Sequence, residues 1–230
     1  MFGKYLSEFL GTFMLLFAGT GAIAVNHAFG GVVTHVGVAL TFGLVVLAIV
    51  YALGDVSGAH INPAVTLAFW VAGRFDFKHV VPFIAAQLLG AGAASLSIRL
   101  LFPDDVTLGA TLPNIGVWQS VLLEIILTWF LMFVVLNVST GAKEKGIMAG
   151  VAVGSVVALE AMFAGPACGA SMNPARSFGP AIGAALFPVN EDSVQPLYDL
   201  WIYFVGPIIG AFLAVASFYL VRTGADSDEN

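Results

Sequence analysis

Ser57-Gly58-Ala59-His60-Ile61-Asn62-Pro63-Ala64-Val65-Thr66 decides the fold, because it returns as Cys168-Gly169-Ala170-Ser171-Met172-Asn173-Pro174-Ala175-Arg176-Ser177. Aligned without a gap, the two stretches share Gly, Ala, Asn, Pro and Ala. Each has the punctuation of a helix start. Asn sits at the N-cap, and Pro fills the first helical position, where a missing N–H costs nothing. Only short apolar runs follow, giving half-helices over 62–72 and 173–186, whereas a bilayer crossing takes roughly 20 apolar residues. Two short helices in corresponding places of two halves point to a transport path through a membrane.

Composition agrees. The chain is 59% hydrophobic and 10% charged, against about 25% charged in soluble domains. Net charge is −6 with no basic tract, which argues against a nucleic-acid partner. Cys168 is the single cysteine, so no intramolecular disulfide forms. No Cys/His spacing resembles a metal site, and no cofactor is expected. The first apolar segment, Tyr5 to Val25, is too long for a signal h-region and contains Glu8, so it reads as a retained helix.

Six spans follow from run length: 5–25, 36–53, 80–101, 117–138, 147–164 and 198–221. The expected fold is therefore an all-α membrane protein of six helices plus two half-helices. The first repeat half covers 1–115, the second 116–222, and 223–230 forms a disordered acidic tail. The repeat extends beyond the motif. Glu8-x-x-x-Thr12 matches Glu124-x-x-x-Thr128, and Leu88-Leu89-Gly90-Ala91 matches Ile208-Ile209-Gly210-Ala211. Three spans per half make the repeat inverted. Lys4, Arg74, Lys78, Lys143, Lys145 and Arg222 all fall on one side of this arrangement, which puts both termini in the cytoplasm. Arg99 falls near the other side. His27, His35 and His79 are read as connection residues.

Non-helical backbone at membrane depth must be buried or line a watery cavity. The two motif loops should therefore meet near the midplane and aim both half-helix N-termini at one point. The side-chain NH2 groups of Asn62 and Asn173 would face the path while their oxygens cap the backbone. Water accepting from both would lose its proton wire. Carbonyls of Gly58, Ala59, His60, Gly169, Ala170 and Ser171 would line the way.

Paired Asn-Pro-Ala boxes, Asn62-Pro63-Ala64 and Asn173-Pro174-Ala175, the second followed by Arg176, resemble the aquaporin (major intrinsic protein) family over nearly the whole chain. The resemblance implies a homotetramer in the cell membrane, one pore per subunit, and passive flow of water or small neutral solutes. It also implies an outer filter of Phe42, Ala161, Ala170 and Arg176. Water-specific members usually carry His where this chain has Ala161, so the filter should be wide. Nodulin-26-like channels, which pass glycerol, urea or metalloid hydroxides, share that small residue and the Ala164-Gly165-Pro166 context. Ser177, Ala181, Tyr203 and Phe204 depart from glycerol-facilitator markers. Width weighs more, and the reading is a water channel that also admits small uncharged solutes.

Within that reading Arg176 is a filter donor, His60 lines the cytoplasmic side, and Glu8 and Glu124 brace the motif loops through backbone N–H groups. Glu160, beside Ala161, is expected either to bond nearby loop N–H groups or to position Arg176 and add an acceptor at the filter. A strictly water-selective channel is the nearest alternative. A secondary transporter is another, since inverted repeats serve both, but no intramembrane charge pair suited to ion coupling is evident. An enzyme finds no support: there is no Ser/His, paired-Asp or metal constellation.

Overall fold

The structure is a computed structural model that describes residues 1–139 and 148–227, with side chains through Arg222. The charged turn expected over 141–146 and the last three residues lie outside the described residues. The long helices are α1 (Phe2–Ala28), α2 (Thr34–Ser57), α4 (Val80–Leu101), α5 (Val117–Val138), α6 (Ala149–Cys168) and α9 (Ile202–Ser227). Short α3 (Pro63–Val71) and α7 (Pro174–Leu186) are the two half-helices, and α8 (Gln195–Tyr198) is a single turn before α9. Among the described residues, six helices are long and apolar enough to cross a membrane.

Expected and observed ends agree for α4 and α5 and differ elsewhere. α2 and α6 run past 53 and 164 to Ser57 and Cys168. Gly54 and Gly165-Pro166 lie inside these helices and do not end them. The terminators are Gly58 and Gly169, left-handed at φ +92 and +87, whose amides bond back to the Gly54 and Gly165 carbonyls. Pro166, inside α6, has no N–H for the Met162 carbonyl four residues earlier. His35 fills that gap, with Nε2 at 2.7 Å from the Met162 oxygen. A carbonyl only accepts, so Nε2 carries the proton. His27 and His35 are thus helical, in the last turn of α1 and the first turn of α2. At the other end α9 continues to Ser227, through residues expected to form a tail.

Packing follows the repeat. α1 lies on α4 and α2, α5 lies on α9 and α6, and α2 crosses α6 between the halves. Gly43 and Gly154 meet at that crossing. A Cβ on Gly43 would sit 2.5 Å from the Gly154 oxygen, and one on Gly154 would sit 2.6 Å from the Gly43 oxygen. No larger residue allows that approach. The half-helices reach across the divide. Ala64, Val65, Ala68 and Ala72, along α3 and its C-cap, share a core with Met132, Leu136, Ala211 and Phe218 of the opposite half. Ala184 of α7 packs with Ala24 and Ile98. Each short helix is therefore held by both halves, and its N-terminus is presented to the centre.

Candidate functional site

Asn62 and Asn173 are extended N-caps. Asn62 Oδ1 accepts from the Ala64 N–H at 2.9 Å, and Asn173 Oδ1 accepts from those of Ala175 and Arg176 at 3.0 and 3.3 Å. Pro63 and Pro174 take the first helical position. The two amide groups then cross over. Asn62 Nδ2 donates to the Met172 carbonyl at 2.8 Å, and Asn173 Nδ2 donates to the Ile61 carbonyl at 2.9 Å. From the sequence, both NH2 groups are expected to face the path. Instead each spends one hydrogen on the opposite loop and keeps one of its two.

The loops before the caps are bent in the same way. Ala59, Ile61, Ala170 and Met172 have φ of +46, +44, +42 and +53. Such conformations cost roughly 1–3 kcal/mol each outside glycine. Two buried carboxylates offset this. Glu8 Oε1 accepts from Ser57 Oγ (2.8 Å) and the His60 N–H (2.9 Å), and Oε2 from the Ile61 N–H (2.6 Å) and Gln87 Nε2 (2.8 Å). Glu124 Oε1 accepts from the Ser171 N–H (2.7 Å) and Cys168 Sγ (3.3 Å), and Oε2 from the Met172 N–H (2.8 Å). In both loops the consecutive N–H groups at positions 60–61 and 171–172 converge on one carboxylate. The twist is what aligns them, and charge-assisted bonds hold it.

Two cavities lie on either side of this region. The inner one, about 130 Å³, has a polar flank of Gly58, Ala59, His60, Asn62, Ser171 and Asn173. Its other flank is apolar, with Val46, Val50, Val65, Leu131, Val135, Val153 and Val157. The outer one is lined by Asn26, His27, His35, Thr107, Asn114 and Gly169, among others. Among the described residues, the two linings share Phe42, Ala161, Ala170 and Arg176 and no other. Buried Arg176 donates from Nη1 to the Gly109 carbonyl at 2.8 Å, and its guanidinium carbon lies 4.9 Å from the Phe42 ring centre. That contact adds a cation–π attraction to the hydrogen bond.

His60 is fixed from several sides. Its ring stacks on Phe69 at 4.8 Å and meets Phe75 and Phe83. Thr66 Oγ1 donates to the Asn62 carbonyl at 3.1 Å and accepts from Gln87 Nε2 at 3.0 Å. With its one hydrogen so used, Thr66 must also accept from His60 Nδ1, 3.1 Å away.

Glu160 departs from both expectations. It is fully buried, both oxygens are without a hydrogen-bond partner among the described residues, and it lines neither cavity. One residue along a helix turns the side chain by about 100°, so Ala161 faces the path while Glu160 does not. Among the described residues it hydrogen-bonds neither the loop nor Arg176. Several contributors were missed. Gly109 acts through a carbonyl, which no residue type announces. Gly19 makes room for Phe42: a Cβ there would sit 2.1 Å from the ring. Gln87, an isolated amide in an apolar run, did carry a signal.

The chain matches the family model for major intrinsic proteins over residues 1–219. It is 43% identical over 220 residues to aquaporin NIP1-1 of Zea mays, covering 95% of this chain and 74% of that protein. It is 46% identical over 222 residues to aquaporin NIP1-4 of Oryza sativa subsp. japonica, covering 96% and 77%. Among solved structures it is similar to the aquaglyceroporin from Plasmodium falciparum, with a TM-score of 0.82, 26% identity and 94% of each chain covered. With paired Asn caps whose amides cross between the two motif loops, the chain belongs to the major intrinsic protein family of passive, multi-pass membrane channels.

Proposed function

We propose that this channel conducts water together with small uncharged solutes such as glycerol, urea or metalloid hydroxides, and turns back protons and ions. The observation that carries the reading is the set Phe42, Ala161, Ala170 and Arg176, the residues common to the two cavity linings among the described residues. Every molecule passing between the cavities passes that ring. Arg176 supplies donors and a positive charge there, Phe42 an apolar wall, and Ala161 the open side that admits more than water. Deeper in, the remaining amide hydrogens of Asn62 and Asn173 and two half-helix N-termini favour an accepting oxygen and disfavour a cation. Carbonyls of Gly58, Ala59 and His60 offer acceptors along the inner flank, and His60 lines the inner mouth. Glu8 and Glu124 act at one remove, holding the loops. The names of the similar plant aquaporins and the aquaglyceroporin support both solute classes. Basic residues gathered at one end support cytoplasmic termini in a cell membrane, and the family resemblance supports a homotetramer.

Stopped-flow permeability in vesicles tests the filter. Ala161→His should keep water flow and lower glycerol and urea permeability by about tenfold, the effect of roughly 1.4 kcal/mol on the barrier. Equal solute flow in both proteins would overturn the assignment. Saturable flux tied to an ion gradient would assign a transporter instead.

A further inference from the structure

The guanidinium of Arg176 is oriented by a carbonyl, that of Gly109, on the connection between α4 and α5. Where that carbonyl sits depends on the turn before it. Leu108 and Gly109 both adopt positive φ, +52 and +70, so the turn is not one a chain takes unaided. Asp105 stands at its start with every acceptor engaged. Its Oδ1 accepts from the Thr107 N–H at 3.1 Å and the Leu108 N–H at 2.7 Å. Its Oδ2 meets His27 Nδ1, at the end of α1, at 3.1 Å. Its own carbonyl, with that of Pro103, accepts from Arg99 Nη1 of α4 at 2.7 and 2.8 Å. The carboxylate is 5% exposed, although the connection lies at the outer end of the molecule. Leu108 is fully buried beside Ala24, Ile98 and Ala184, which anchors the far side of the turn.

We propose that Asp105 is a positioning residue for the filter: it locks the turn that hands the Gly109 carbonyl to Arg176, and so sets how the ring discriminates solute from water. This rests on the filter assignment above. The role belongs to the oxygen that receives the Thr107 and Leu108 amides, not to the charge. Asn offers an oxygen in the same place. Glu keeps the charge but moves the oxygens one methylene away. Arg99 and His27 hold Asp105 to α4 and α1, which carries the position of the turn into the helical frame.

The test is the glycerol-to-water permeability ratio in vesicles for Asp105→Asn, Asp105→Glu and Asp105→Ala, with Ala161→His alongside. Expected is a ratio near the parent's for Asn and a shift of about fivefold for Glu and Ala, the population change that goes with one hydrogen bond. If the Ala variant fails to reach the membrane, the Asn and Glu pair carries the comparison. Retention by Glu and loss by Asn would overturn the proposal in favour of a charge role. Unchanged ratios in every Asp105 variant, with a shifted ratio in Ala161→His, would overturn it and leave the filter standing. No shift in Ala161→His would remove the filter reading itself.

Discussion

The four residues proposed as the filter ring have counterparts inside the same molecule. In the register that superimposes the two motif loops, Phe42, Ala161, Ala170 and Arg176 correspond to Val153, Val50, Ala59 and Val65. All four mates also line the inner cavity. The repeat therefore supplies two corresponding sets of four residues, the proposed filter ring and its mate, and furnishes them differently. One holds a cation and an aromatic face, the other only small apolar groups. Under the proposed filter assignment, the polar chemistry is concentrated in one set, and its mate is apolar.

The braces differ in the same direction. Glu8 receives four donors, including Gln87, while Glu124 receives three, one of them a weak thiol. Pro207 stands where the first half has Gln87, and Glu160 stands where it has buried Ile49. Among the described residues, the half that supplies three of the four proposed filter residues is thus the less completely satisfied one. That is the usual direction of the trade between function and stability.

Making the rings alike is the strongest way to break this comparison. Arg176→Val copies the mate residue and removes the only charge on the ring. Cation leak measured by vesicle potential should rise by about 100-fold, equivalent to roughly 2.7 kcal/mol of lost barrier. A leak equal to the parent's would mean that the central amides and half-helix ends exclude ions unaided.

Crowding the outer ring should have a smaller effect. Gly19→Ala places a methyl where the Phe42 ring lies, at 2.1–2.6 Å from three of its carbons. The Phe42 side chain must shift, and if it narrows the proposed filter, glycerol flow should fall about tenfold, with water flow reduced less. Equal loss of both would show collapse of α1 against α2 instead of a narrowed ring.

The mildest change concerns Glu160. Replacing it by Ile, its mate, removes two unpartnered buried oxygens. We expect a gain of about 1–3 kcal/mol in stability, read as a higher melting temperature in detergent, with unchanged permeabilities. Altered solute selectivity in Glu160→Ile would return that residue to the filter.

Much of this was legible beforehand because it depends on residue type and spacing. The paired Asn-Pro caps locate both half-helices to within a residue at their start, and apolar run length locates α4 and α5. The four positions proposed as the filter, carried over from the resemblance by their distances to the motif, are residues that line both cavities. What stayed hidden depends on backbone geometry. Positive φ at Ile61 and Met172 has no signature, since neither residue favours it. The end of α6 was misplaced because Pro166 looks disruptive until His35, 131 positions from it in sequence, is seen to take the freed Met162 carbonyl. Gly109 contributes a main-chain oxygen, and Asp105 looked like an ordinary polar linker residue.

One consequence of the crossed asparagine amides concerns the order of synthesis. The carbonyl of Ile61 and the amide of Asn62 emerge from the ribosome more than 100 residues before Asn173 and Met172, their partners. Until the later segment arrives, the earlier loop holds polar backbone in the bilayer interior with its reciprocal bonds unmade. The channel's centre is thus completed last, by a clasp that neither newly made half can close alone.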